Sequence, residues 1–221
     1  MSEPLVLVNL FTLPTSAVDT FVEGWPASTA PLAHASGFRG TRLHRAVSPE
    51  SPYQIVNVAR WDSAEAWEAA LSGFQTGTER RRQAQAGTFN AEPALYHVVS
   101  VTPDPLASHT GGPEPLVLIN PFIMTAQDAD AFVEAWTANT AAQTQAPGFR
   151  GTRLHRALSP DNPRQIVNIA QWDSAEAWEA ATAGWRTGGD QDPAGGMSRR
   201  AQPALYRVVY VTPDPLATPT S

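Results

Sequence analysis

The sequence contains itself twice, and that repeat limits the possible folds more than any other feature. Glu3-Pro4-Leu5-Val6-Leu7-Val8-Asn9 returns as Glu114-Pro115-Leu116-Val117-Leu118-Ile119-Asn120, an offset of 111. The block Gly37 to Ala70 returns as Gly148 to Ala181 with 28 of 34 positions identical. Pro93-Ala94-Leu95-Tyr96 returns as Pro203-Ala204-Leu205-Tyr206, one residue short of that offset. Units of about 105 residues are too long for a solenoid repeat and the right size for small domains. The expected division is a first domain over 1–105, a second over 114–217 and a linker over 106–113. The linker lies in the Pro/Gly-rich stretch TPDPLASHTGGP.

Within each copy the pattern reads βαββαβ. Leu5 to Phe11 is apolar and β-branched, a strand. Ser16 to His34 spaces Val18, Phe21, Val22 and Trp25 by three and four, a helix with one buried face. Pro26 and Pro31 should kink or shorten it, whereas the second copy has Thr137 and Ala142 and its helix should run regularly over about 126–145. Phe38 to Ala46 and Gln54 to Trp61 are strands joined by a Pro/Ser turn. Asp62 or Ser63 caps a second helix with Trp67 and Leu71 inward. Ala94 to Val101 is the last strand. This order predicts an α+β fold, two ferredoxin-like units with both helices on one face of each sheet. The other face cannot stay wet in so small a unit, so the two units are expected to pack sheet to sheet as an intramolecular dimeric α+β barrel.

Composition removes several function classes. Net charge is -6, and all 15 basic residues are arginine, scattered rather than striped. No nucleic acid and no membrane surface is expected as partner. There is no cysteine, so thiolate metal sites and cysteine nucleophiles are excluded. No Asp/Glu/His cluster has ligand spacing and no Gly-rich loop opens a helix after a strand, so neither metal nor nucleotide cofactor is expected. The start lacks the basic and apolar parts of a signal peptide and no apolar run reaches membrane length, so the expected location is cytoplasmic.

The third strand is the informative one. Its two-residue period puts Ile55, Asn57, Ala59 and Trp61 on one face. A strand this apolar is covered on both sides, so Asn57 should be buried and must find a hydrogen-bond partner. Leu7, Asn9 and Phe11 share a face of the first strand in the same way. The second copy repeats these placements with Asn120, Asn168 and Trp172. A buried Asn ordinarily satisfies a backbone group or a water, and a Trp after a strand ordinarily anchors the next helix. The other reading makes them the polar points of an apolar cavity. His44 and His155 are candidate bases by intrinsic pKa, though alternation groups His44 with Arg42 on a solvated or interface face.

Gly37-Phe38 leading to Leu43-His44-Arg45, then Asn57, Trp61-Asp62-Ser63 and Glu65-Ala66-Trp67, resembles the antibiotic biosynthesis monooxygenase family. The second copy carries Pro147-Gly148-Phe149, Leu154-His155-Arg156, Asn168 and Trp172. The resemblance implies a dimeric α+β barrel and a cofactor-independent monooxygenase that oxidises a polycyclic aromatic polyketide phenol or anthrone with dioxygen. It implies Asn9, Asn57, Trp61, Asn120, Asn168 and Trp172 as catalytic groups. Phe11, Trp67, Phe74, Phe122, Trp178 and Trp185 would then bind substrate, with Phe74 and Trp185 at divergent pocket rims. Expected partners are a small aromatic substrate and dioxygen, with the pseudo-dimer or a further homodimer as the assembly. The alternatives are a non-redox binding or cyclase-type protein for an aromatic polyketide, and haem degradation. Residues 62–92 and 173–202 contain no histidine for an axial haem ligand.

Overall fold

The computed structural model describes residues 4–72, 89–102, 115–186 and 201–212, the side chains of 138–143 and 184–186 excepted. The first repeat runs β1 (Leu5–Thr12), α1 (Val18–Thr29), β2 (Phe38–Ala46), β3 (Ile55–Trp61), α2 (64–72) and β4 (Asn90–Thr102). The second runs β5 (Leu116–Phe122), α3 (Ala126–Gln143), β6 (Phe149–Ala157), β7 (Ile166–Trp172), α4 (Ala175–Arg186) and β8 (Ala204–Thr212). The fold is α+β, two ferredoxin-like βαββαβ repeats with antiparallel strands, as the sequence requires.

The compact units do not share their boundaries with the repeats. Unit 1 comprises Met1–His97 with Val208–Ser221, and unit 2 comprises Val98–Arg207. Strands β4 and β8 are each divided between the two units. In unit 1 the hydrogen-bonded order is β4-β1-β3-β2-β8, and in unit 2 it is β8-β5-β7-β6-β4. The central strands β3 and β7 are therefore flanked on both sides. β4 begins four residues before the Ala94 expected from apolar content, because Asn90 pairs with Thr12 and Pro93 with Asn9 along β1. The expected linker, 106–113, lies outside the described residues.

Proline acts on α1 as expected. Pro26 lies inside it, the α-helix stops at Thr29, and Ala30–His34 continues as a 3₁₀ turn. Its counterpart α3 has no proline and runs 18 residues without interruption. Both helices of unit 1 cover one face of its sheet. Val18, Phe21, Val22 and Trp25 of α1 pack on Phe11, Leu43 and Ile55, while Ala66, Trp67 and Ala70 of α2 pack on Leu7, Ala59 and Trp61. The other face is dry as well, since Val6, Val8, Leu10, Val56 and Val58 are all buried.

A latch joins the start of β2 to the end of β3. The Asp62 amide donates to the Gly37 carbonyl at 2.9 Å. Arg39 pairs with the Asp62 carboxylate through Nε and Nη2, both at 2.6 Å. Asp62 thus serves the latch, and Ser63 is the helix cap, its Oγ accepting from the Ala66 amide at 3.2 Å. Unit 2 repeats this with Gly148, Arg150, Asp173 and Ser174. Gly37 sits at φ +79°, and a Cβ there would lie 2.6 Å from Ala66 Cβ. Gly37→Ala should therefore cost about 2 kcal/mol or more by urea unfolding, from left-handed strain plus the clash. Gly24→Ala, in α1 with nothing within 4 Å of the added carbon, should instead stabilise by about 0.5–1 kcal/mol in the same assay.

Candidate active site

Antiparallel register brings the two asparagines of each unit together. Asn9 on β1 stands directly opposite Asn57 on β3, and Asn120 on β5 opposite Asn168 on β7. Directly opposed residues have Cβ atoms about 4.5–5.5 Å apart. Alternation turns these amides to the helix-covered face, in line with Leu7 and Phe11 of β1 and with Ile55 and Ala59 of β3. Asn57 is 6% exposed and Asn168 4%.

Each amide pair lies between two aromatic groups. Toward one end of β1, Phe11 meets Phe21 at a centroid distance of 5.0 Å and Trp25 at 5.8 Å, with Phe89 closing the group at 5.9 Å. Toward the other end, Trp61 meets Phe38 at 5.1 Å and Trp67 at 5.4 Å. In unit 2, Phe122, Phe132 and Trp136 form the first group, and Phe149 packs on Trp172 at 5.1 Å in the second. Trp178 packs in that second cluster. Of the residues expected to bind substrate, Phe11, Trp67, Phe122 and Trp178 thus flank the amides. Phe74 lies outside the described residues, as does the side chain of Trp185.

The hydrogen-bond inventory separates the two amides. The Thr41 hydroxyl donates to Asn57 Oδ1 in a short bond, and the Thr152 hydroxyl does the same to Asn168 Oδ1. Asn9 Oδ1 and Trp61 Nε1 are buried with no partner among the described residues, and so are Asn120 Oδ1 and Trp172 Nε1. Trp25 Nε1 of α1 is in the same condition. An unpartnered buried polar group costs about 1–3 kcal/mol, so these atoms mark where a hydrogen-bonding ligand would be gained most. Trp61 is fully enclosed, 0% exposed. What it offers is its N–H edge, since Phe38 and Trp67 lie against its ring.

Sequence reasoning missed Thr41 and Thr152. Thr41 shares a face with Leu43 by alternation, a visible signal. Its place beside Asn57 follows from the β2/β3 register, which sets Thr41 opposite Ala59 and Leu43 opposite Asn57; the irregularity between Phe38 and Gly40 moves only the Phe38–Trp61 pairing.

Of the solvated or interface face expected for the histidines, the solvated alternative falls. His44 is 3% exposed and His155 2%, so they do not face solvent. They stand opposite Val56 and Val167, on the sheet face away from the amides, with Nδ1 3.2 and 3.1 Å from those carbonyls. A base acting on a ligand beside Asn57 would have to stand on the other face. Burial strips water from the imidazolium and lowers both pKa values to about 4, with the carbonyl bond only partly opposing.

A family model described as antibiotic biosynthesis monooxygenase matches residues 4–76 and again 115–184. No curated protein matches the sequence. A crystal structure of an anthrone oxidase-like protein is similar over 99% of this chain and 98% of its own, with TM-score 0.75 and 21% identity. A chlorite dismutase variant from Candidatus Nitrospira defluvii aligns over 94% of this chain and 92% of its own, with TM-score 0.60 and 10% identity. At such identities the likeness is one of fold. Among the described residues, no helix is long and apolar enough to cross a membrane.

The buried histidines set a pH dependence. Unfolded, they titrate near 6.5; folded, near 4. Above pH 6.5 both states are neutral and this contribution to stability is complete. Between about 6.5 and 4 the unfolded chain takes the proton first and the contribution is lost, up to about 3 kcal/mol per histidine. Urea unfolding at pH 7.5 and 4.5 should show that fall, and His44→Gln/His155→Gln should flatten it. Two matches covering well over half of the chain show that it belongs to the antibiotic biosynthesis monooxygenase family.

Proposed function

We propose that the protein is a cofactor-independent oxygenase, oxidising a polycyclic aromatic phenol of the anthrone type with dioxygen in the making of a polyketide-derived secondary metabolite. The observation that carries this reading is the two buried atoms in each unit that have no partner among the described residues: Asn9 Oδ1 with Trp61 Nε1, and Asn120 Oδ1 with Trp172 Nε1. One is an acceptor and the other a donor, both dry and both next to aromatic surface. A flat phenol bearing a hydroxyl and a second oxygen supplies the two missing partners. The anthrone oxidase-like neighbour, similar over nearly the full chain, is in keeping with that ligand class.

The chemistry asks little of the protein. Triplet dioxygen reacts slowly with closed-shell molecules, but an electron-rich phenolate or its carbanion form can pass it one electron. The radical pair then combines at carbon to a peroxide. Loss of water from that peroxide leaves a carbonyl, so a methylene and one dioxygen become one carbonyl and one water. All the electrons come from the substrate, and no separate reductant is needed. The amide donors of Asn57 and Asn168 and the indole N–H groups stabilise the phenolate and the growing oxyanion. Fixed donors in a dry site do so without reorganising, each typically worth about 10²–10³ in rate. The aromatic flanks keep water from the reactive intermediate.

Purified protein given an anthrone should take up oxygen and release the corresponding quinone. Asn57→Ala/Asn168→Ala and Trp61→Phe/Trp172→Phe should each lower kcat about 10²-fold or more. Turnover unchanged in both double variants would remove the site assignment. Tight binding of the phenol with no oxygen uptake would replace the oxygenase with a non-redox binding or cyclase-type protein.

A further inference from the structure

An asparagine amide is nearly symmetric in shape and opposite in chemistry at its two ends. Turned one way it offers two N–H donors to a developing oxyanion; turned the other way it offers a carbonyl oxygen, which repels it. A site built on such an amide needs something that holds its orientation. We propose that Thr41 and Thr152 are positioning residues, each donating its hydroxyl proton to the amide oxygen of Asn57 or Asn168 and so keeping the NH2 end turned toward bound substrate. This rests on the oxygenase reading for its catalytic part and on the hydrogen bond alone for its structural part.

The geometry points to it in both units. Thr41 and Asn57 are both buried, as are Thr152 and Asn168, so water does not compete for either group. The threonine hydroxyl has one proton and two candidate acceptors. The Val58 carbonyl lies 3.3 Å from Thr41 Oγ1, and the Ile169 carbonyl 3.3 Å from Thr152 Oγ1. Both are long for an O–H···O bond, whereas the amide oxygen is in close contact, so the proton goes to the amide. β3 runs between β2, which carries Thr41, and β1, which carries Asn9. With Oδ1 drawn toward β2, the planar amide turns its NH2 away from β2. β7, between β6 and β5, repeats the arrangement.

The test uses the full chain and two paired variants. Thr41→Val/Thr152→Val keeps the shape and removes the hydroxyl; Thr41→Ser/Thr152→Ser keeps the hydroxyl. With 15N-labelled asparagine the protein shows seven side-chain amide pairs, one per asparagine, and Asn57→Ala and Asn168→Ala assign the two that matter. The valine pair should shift both assigned signals and speed their exchange with solvent, and the serine pair should leave them near their original positions. With an anthrone as substrate, the valine pair should lower kcat about 10- to 100-fold with KM within about twofold, less than removing the donor outright. The serine pair should recover most of that loss. Unshifted amide signals in the valine pair, or a serine pair as impaired as the valine pair, would overturn the proposal. If the wild-type protein oxidises no phenol, the oxygenase reading falls, and the amide signals still decide whether the threonines orient Asn57 and Asn168.

Discussion

Both faces of the central strands are buried, and the arrangement of polar groups follows from that burial. In β3 and β7 every side chain but that of Arg60 is buried, yet each strand carries an asparagine at its middle. An amide placed there has lost its hydration and must be compensated from within or by something bound. Thr41 and Thr152 compensate one atom of each central amide. The amide oxygens of Asn9 and Asn120 and the indole N–H groups of Trp61 and Trp172 have no partner among the described residues. In the proposed function these atoms are places for a ligand's polar groups, with aromatic residues on either side.

Several residues that carry the family resemblance have a structural part. Gly37 lets the chain pass within contact of α2, Asp62 is gripped by Arg39, and Ser63 caps the helix. The exposed Arg39–Asp62 pair contributes little energy by itself. Its effect is geometric, since it fixes the end of β3 where Trp61 sits and lays Phe38 against the indole. The spacing from Gly37 to Trp61 to Ser63 is therefore the spacing of a latch that aims the indole.

Much of the architecture was legible without coordinates. The offset repeat required two like units, and the two-residue period of Ile55 to Trp61 placed Asn57 on the helix side with Trp61. Proline at 26 and 31 foretold the broken α1 against the regular α3. The first turns of β4 were not legible, because Asn90-Ala91-Glu92-Pro93 has no apolar period and becomes strand only by pairing with β1. The depth of His44 was only half legible, since alternation left a solvated and an interface face open and could not choose between them.

The sequence by itself determined the duplication, the order of elements, and which side chains line each face, because repeats and periodicity are properties of neighbours along the chain. Only the tertiary structure decided that Asn9 faces Asn57, that Thr41 rather than main chain takes up the central amide, and that β4 and β8 are each divided between the compact units. Those outcomes depend on register between strands distant in sequence. The β2/β3 pairing holds one register from Gly40 to Arg45 and slips by one residue only between Phe38 and Gly40, and no local pattern records where strands so placed meet.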